Sequence, residues 1–407
     1  MKIRVAGAGC CLMDLIYPEV DFSSAAFRAS ASASEGDGGL APGRLVFAAD
    51  AEDFAGRPFA EVLAAIVGRA PDGRAAAPAA ENVGGPSVVS LVHAAQMLEG
   101  EGAEVSFHGA AGADAVGGEL RALLSRTPLD CSALERRPGR TPSTCVLSDP
   151  RWDSGRGERC FVNDIGVADS YGPADLGDRF FDSELVALGG TALVPRLHEG
   201  LDGVLTEARR RGALTVVNTV FDFRAERRDR SAPWPLGGSR SAPLRGPGPA
   251  ASYSACDLLV MDRDEALRLS GEREIIAAAA AFRSSGVGAF AITRGGESVL
   301  AWAGNGRFKP MAMREFRVLR PPQGTGSSRG DTTGCGDTFA GGIIASLAEQ
   351  LKAGRDGLDL DEALSWGIAA GAFTLGILGG TYYESRRGEK RELVTSRREA
   401  WLAQERK

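Results

Sequence analysis

Nothing in this sequence approaches the ~18 uninterrupted apolar residues of a membrane-spanning helix, and it carries no block of Lys or Arg. The first absence argues against a membrane-embedded chain. The second, with a net charge of −6, removes the basic footprint of a nucleic-acid binder. Histidine is scarce: His93 and His198 read as helix-surface or helix-start residues and His108 as a strand end, with no HExxH spacing among them. The seven cysteines show no CxxC pairing, which speaks against a disulfide framework or a zinc site and fits a reducing cytoplasm. A Walker lysine, a protein-kinase HRD/DFG set and an internal repeat are also missing. "VAGAG" after the first strand mimics a dinucleotide fingerprint but lacks its third glycine and the helix that should follow. The opening "MKIRVAGAGCCLMDLIY" is too short in its apolar part, and too soon interrupted by Asp14, to read as a leader; it reads as a strand.

What is present is ordinary globular composition, 43% hydrophobic and 25% charged, with material for a large core. Strand patterns at Lys2 to Ala6, "AEVSFHGAAG", "TALVP", "LTVVNTV", "DLLVMD" and "GAFAITRGG" alternate with helical stretches such as "DAVGGELRALLSR", "EGLDGVLTEARRRG" and "DEALRLSG". That alternation predicts an α/β fold with a parallel sheet covered on both faces. From Ser87, a plausible N-cap, apolar positions at helical spacing predict one amphipathic helix stopped by Gly100. "STCVLSD" and "GERCFVND" predict a hairpin. Residues 23 to 80 form a poorly periodic insertion, with a strand at "RLVFAAD" and a helix at "FAEVLAAIVGRA". Residues 225 to 252, rich in Pro, Gly, Ser and Arg, predict an irregular loop, and "SRREAWLAQERK" a charged terminal helix.

The chemistry concentrates in "GDTTGCGDTFAGG", Gly330 to Gly342. Gly334, Cys335 and Gly336 let the backbone approach a ligand, and the small-residue helix after them aims unpaired N–H groups at it, which makes an anion site. Asp337 at that mouth repels phosphate, so it makes sense as a base that deprotonates an attacking hydroxyl while the amides stabilise the incoming phosphoryl group. Taken alone, a GxGD could equally be a capped helix. The whole string resembles the D-T-x-G-A-G-D signature of the ribokinase-like (phosphofructokinase B-type) carbohydrate kinases, with Cys335 in place of the usual Ala. "NVGGPSVVSLVHAAQMLEG" is similar to that family's Gly-Gly turn and helix, although Val89 stands where many relatives carry a substrate-contacting Asn. "FHGAAGADAVGG" and "MDRDEALRLSG" are similar to further family segments, the latter with Asp262 where an Asn is usual.

The resemblance implies a three-layer α/β/α sandwich with a mostly parallel central sheet, in a single kinase domain whose small β-lid comes from about 12–50 and 142–165. It implies ATP-dependent phosphotransfer to a sugar or polyol, or to a nucleoside, with ATP and Mg²⁺ as cofactors and K⁺ as a further expectation. A non-catalytic sugar sensor is the remaining alternative. On this reading Asp337 is the base and Gly334, Cys335 and Gly336 contribute the anion hole. Asp14, Asn82, Gly84, Gly85 and Asn163 hold the substrate. Asp262, Glu265, Thr293, Gly295, Gly296 and Gly371 serve the nucleotide, with Glu265 reaching Mg²⁺ through water. Asp331 and Thr333 fall on a monovalent-cation loop, and Arg224 is a loose candidate for a phosphate contact. A homodimer through the lid is a further expectation of the resemblance.

Overall fold

In the computed structural model, which describes residues 2–34, 36–155, 157–220, 251–304, 306–319 and 332–406, the strand and helix signals assemble into two sheets. Fourteen strands are described: β1 (Ile3–Gly9), β2 (Leu12–Tyr17), β3 (Leu45–Phe47), β4 (Ala80–Gly84), β5 (Ala103–Gly112), β6 (Asp130–Arg137), β7 (Ser143–Asp149), β8 (Glu158–Asp164), β9 (Leu185–Gly189), β10 (Leu214–Asn218), β11 (Leu258–Asp262), β12 (Ala289–Thr293), β13 (Ser298–Ala303) and β14 (Met311–Arg317). The large sheet has the order β14-β13-β12-β11-β10-β9-β1-β5-β6. It is parallel from β6 to β12 and antiparallel at the β13–β14 edge. Its central strands are buried along almost their whole length, as parallel strands covered on both sides must be.

The longer helices are α1 (Ala48–Ala55), α2 (Phe59–Val67), α3 (Pro86–Leu98), α4 (Ala115–Leu124), α5 (Leu201–Arg210), α6 (Arg263–Ser270), α7 (Ile275–Ser284), α8 (Cys335–Lys352), α9 (Leu360–Thr374) and α10 (Glu389–Glu405). One core, containing residues of α3, α8 and α9, lies on one face of the large sheet. A second, with α5, α6 and α7, lies on the other. The three-layer α/β/α sandwich expected from the sequence is therefore present.

Several local expectations need correction. "TALVP" is not a strand: β9 precedes it and ends at Gly189, after which the left-handed Gly190 leads into a 3-10 turn at Thr191–Leu193. Ser87 is not the cap of α3. Gly85 is, with Pro86 in the first turn, and Ser87 lies buried inside the helix. Nor is α3 amphipathic in place, because it is wedged between the sheet and α8 and nearly all its residues are buried. His93 and His198 are buried rather than on helix surfaces, and His108 lies within β5 rather than at a strand end. Residues 221–250 are outside the described residues, so Arg224 and all but the last two positions of the 225–252 loop are too; those two begin a short helix, Ala251–Ser254.

The second sheet, ordered β3-β8-β7-β2-β4, is the lid. It draws on β4 as well as on the two segments expected. The face away from the large sheet carries Tyr17, Cys145, Leu147, Cys160 and Val162, which pack with Phe22, Phe27, Leu40, Ala51 and Leu63 of the 18–79 insertion. This chain thus covers the back of its own lid.

Candidate active site

Parallel strands β10, β11 and β12 end in Asn218, Asp262 and Thr293, and all three residues line one cavity of about 310 Å³ under the lid. Carboxyl ends of parallel strands are where an α/β sheet leaves a crevice. The opposite wall is the inner face of the lid, with Leu12, Asp14, Leu45, Thr144, Arg159, Phe161 and Asn163, and the third is the loop Thr332–Gly334 with Gly336 and Asp337 of α8.

The anion end is built by α8. Gly334 caps the helix in the left-handed region, φ +77, and a Cβ there would come within 2.3 Å of Gly380 Cα, so no other residue fits without displacing the chain. The Cys335 amide donates to the Thr332 carbonyl at 3.2 Å. The Cys335 amide is thus engaged, while Gly336 and Asp337 lie in the first turn, where helix amides lack an intrahelical partner. Small residues carry α8 close to its neighbours: a Cβ on Gly341 would meet Ser90 O at 2.5 Å, and one on Gly342 would meet Trp366 O at 2.6 Å.

Asp337 is partly exposed on the cavity wall, and desolvation there pushes its carboxyl up to about 6, against the pull of the Asn218 amide, which donates to Oδ1 at 3.3 Å. Asn218 was not anticipated from sequence as the partner of Asp337; it stands at the end of a buried strand, and the contact spans 119 positions. Asp262 and Glu265 form a reciprocal cap at the start of α6: Glu265 N–H donates to Asp262 Oδ1 at 2.8 Å, and Asp262 N–H to Glu265 Oε2 at 2.9 Å. The Thr219 hydroxyl also donates to Oε2, at 2.6 Å. Burial, then the neighbouring Asp262 charge, raise Glu265 well above the usual carboxyl range, and Asp337 adds to the effect while the Thr219 bond opposes it. The Asp at position 262 thus serves as a helix cap and crowds a second carboxylate.

On the lid, Asp14 is 6% exposed, and a Cβ on Gly84 would fall 2.1 Å from its Oδ2. Gly84 makes room for this carboxylate, and Gly85, φ +103, turns the chain into α3 beneath it. Arg159, also unanticipated, reaches from β8 to the hydroxyls of Thr332 and Thr333. It is the one cationic side chain among the described residues of the cavity wall. Thr333, expected on a monovalent-cation loop, thus meets a guanidinium; Asp331 lies outside the described residues.

Other expected site residues are placed elsewhere. Asn82 is spent on the chain near the C-terminal helix: its amide donates to Leu378 O at 3.3 Å and Thr381 O at 3.2 Å, and its Oδ1 accepts from Tyr383 at 3.0 Å. Val89 packs on Gly380, whose Cβ would come within 3.0 Å of it. Gly295 and Gly296 form the turn between β12 and β13 and do not line the cavity, and Gly371 lets α9 approach the first turn of α8.

Residues 242–385 match the pfkB family carbohydrate kinase. Among solved structures, a probable sugar kinase from Rhizobium etli CFN 42 is 17% identical, with TM-score 0.66 over 97% of this chain and 99% of the other. Adenosine kinase from Sinorhizobium meliloti is 20% identical, with TM-score 0.64 over 98% and 100%. A putative ribokinase II from E. coli, in complex with ATP and Mg²⁺, is 15% identical, with TM-score 0.62 over 97% and 99%. Comparison with curated protein sequences gives no match. At such identities the structural likeness speaks for the fold, and the fold is ribokinase-like. The resemblance read from the sequence is borne out at that level.

Proposed function

We propose that this protein transfers the γ-phosphoryl group of ATP to a hydroxyl of a sugar or sugar-like polyol. The observation that carries the reading is the convergence of a raised carboxyl, Asp337, and the first-turn amides of α8 on one cavity whose far wall offers Asp14. Asp14 accepts hydrogen bonds from substrate hydroxyls, because a carboxylate can serve two at once. Asp337 takes the proton of the attacking hydroxyl. Its elevated pKa brings its basicity close to the working pH, which favours general-base catalysis. The amides of Gly336 and Asp337 hold the transferring group, and Arg159, on the lid wall of the cavity, supplies a cation beside it. Lid and sheet together exclude water from the transfer.

No cluster of three metal-ligating side chains occurs among the described residues, so a divalent cation here would draw few ligands from the protein. Magnesium here would keep most of its water and rest on nucleotide phosphates and Glu265, supplying charge to the phosphoryl oxygens. The nucleotide lies toward Thr293. The test is ADP release with ATP and a panel of ribose, fructose, ketogluconate-type sugars and adenosine. Turnover with at least one of them is expected. Tight binding of a panel member with no ADP release would replace the enzyme reading with a sensor.

A further inference from the structure

A second cavity, of about 500 Å³, opens at the edge of the lid where β3 ends and α1 begins. Among the described residues it shares only Asn163 with the strand-end crevice. Cys145 and Val162, on the outer face of the lid sheet, line it together with Phe59 and Leu63 of α2. The last rung of the β3–β8 ladder, Phe47 paired with Asn163, borders its inner end. The charges around this largely apolar space do not balance. Arg140 is paired with Asp164 at 3.0 Å, and Asp164 also accepts from the Gly166 amide at 3.1 Å. Glu52 and Asp169, both exposed on the cavity rim, have no hydrogen-bond or ion-pair partner for their carboxylates among the described residues.

A second observation at the same place is independent of those charges. Asn163 is 3% exposed and its Oδ1 is engaged by the Thr144 hydroxyl, while its Nδ2 has no hydrogen-bond partner among the described residues. Orphaned buried donors are rare in folded proteins and call for an acceptor from outside. We propose that this cavity binds a small organic cation: an ammonium or amidinium group at Glu52 and Asp169, an apolar body against Phe59, Leu63 and Val162, and a hydrogen-bond acceptor at the inner end on the Asn163 amide. The volume lies within the range of small-molecule sites. An anion would meet the uncompensated carboxylates, and a bare metal ion would find apolar walls without three clustered ligands. Both helices that complete the site, α1 and α2, belong to the 18–79 insertion rather than to the sandwich. The proposal therefore rests on neither ATP nor Asp337.

The experiment is ligand-observed NMR titration of the full chain, without nucleotide and near neutral pH, with three probes of one shape. Tyramine carries both the ammonium and a hydroxyl acceptor, phenethylamine lacks the hydroxyl, and para-hydroxyphenylacetate has a carboxylate in place of the ammonium. Tyramine should bind with a Kd of about 1 mM or below, as a ligand this small can. Phenethylamine should bind about 10-fold more weakly, the loss of one hydrogen bond to a buried donor, and the acid not measurably. Glu52→Gln and Asp169→Asn, at exposed positions that leave the core untouched, should each weaken tyramine binding about two- to fivefold, and the double variant about tenfold. Asp14→Asn, on the wall of the other cavity, should leave tyramine binding unchanged. No tyramine binding, acid binding as tight as tyramine, no preference for tyramine over phenethylamine, affinity unmoved in the double variant, or affinity lost in Asp14→Asn overturns the proposal.

Discussion

Replacing Asp337 by Asn tests the centre of the mechanism in two opposite directions at once. The carboxyl rises from 3.8 to about 6 because the folded chain desolvates it. A carboxyl raised on folding binds its proton more tightly in the native state, so native stability falls as pH climbs from 3.8 to about 6 and stays reduced above it. At about 1.4 kcal/mol per pH unit, ionised Asp337 costs the fold about 3 kcal/mol at neutral pH. Asn keeps the shape and the bond to Asn218 and carries no charge. The variant should therefore melt about 3 °C higher than the wild type at pH 8, given the unfolding entropy of a chain this long, with the gain vanishing near pH 4. Its kcat should fall by at least ~100-fold, the usual loss of a general base. The assays are calorimetric melting without nucleotide across pH 4–8 and steady-state ADP release. In the wild type, kcat/KM should drop tenfold per pH unit below about 6. A variant with kcat within tenfold of the wild type, or one that melts lower at pH 8, would refute the assignment of a desolvated base.

Arg159→Ala should lower kcat/KM about 100-fold, and Arg159→Lys about tenfold, because lysine keeps the charge and loses the two-pronged donor geometry; full activity in the Ala variant would reduce Arg159 to a lid latch. Gly84→Ala sets a methyl 2.1 Å from the Asp14 carboxylate, so the KM for the acceptor should rise at least ~10-fold with the KM for ATP little changed, and equal rises in both would point to general damage. Lys390 is buried, donates to Gln96 Oε1 at 2.8 Å, and is lowered by desolvation from 10.5 to about 7. The unfolded chain therefore binds the extra proton between pH 7 and 10.5, and wild-type stability should rise across that window. In melting curves, Lys390→Met should gain on the wild type most at pH 7 and least near pH 10; a pH-independent difference contradicts the burial argument. Sedimentation equilibrium should find a monomer, since the back of the lid is already packed by residues 18–79.

What was legible in the sequence was local chemistry. The Gly-rich loop opening a small-residue helix can be read from Gly334 to Gly342 because turn and helix-mouth preferences act over a few residues. The ends of β10, β11 and β12 follow from buried apolar runs of strand length. Where a single segment was ambiguous, reading failed for a definable reason. "TALVP" has strand composition, yet the left-handed Gly190 before it had already turned the chain. Asn82 sits next to the Gly-Gly turn in sequence, but its side chain is claimed by residues almost three hundred positions later, a tertiary contact that no local pattern announces.

The lid shows the deeper limit. The row Asn82, Asp14, Thr144 and Asn163 exists only because four separated segments pair in one register, and a slip of one residue in any strand would turn its side chains to the opposite face. Register between distant strands leaves no trace in composition or spacing. One consequence of it could still have been drawn: if Asn163 faces substrate, strand alternation puts Phe161 and Arg159 on the same face, at i−2 and i−4. Both line the cavity. Applied to the single candidate at 163, the two-residue period of a strand locates the cavity's one described cation, and with it the link between the lid and the loop at Thr332 and Thr333 that feeds the anion site. That link joins the lid to the loop that opens α8 through one strand: Asn163, Phe161 and Arg159 all line the cavity, and Arg159 reaches the hydroxyls of Thr332 and Thr333. On the phosphotransfer proposal, an acceptor that seats β8 also holds the guanidinium at that loop, so recognition and transfer share one strand.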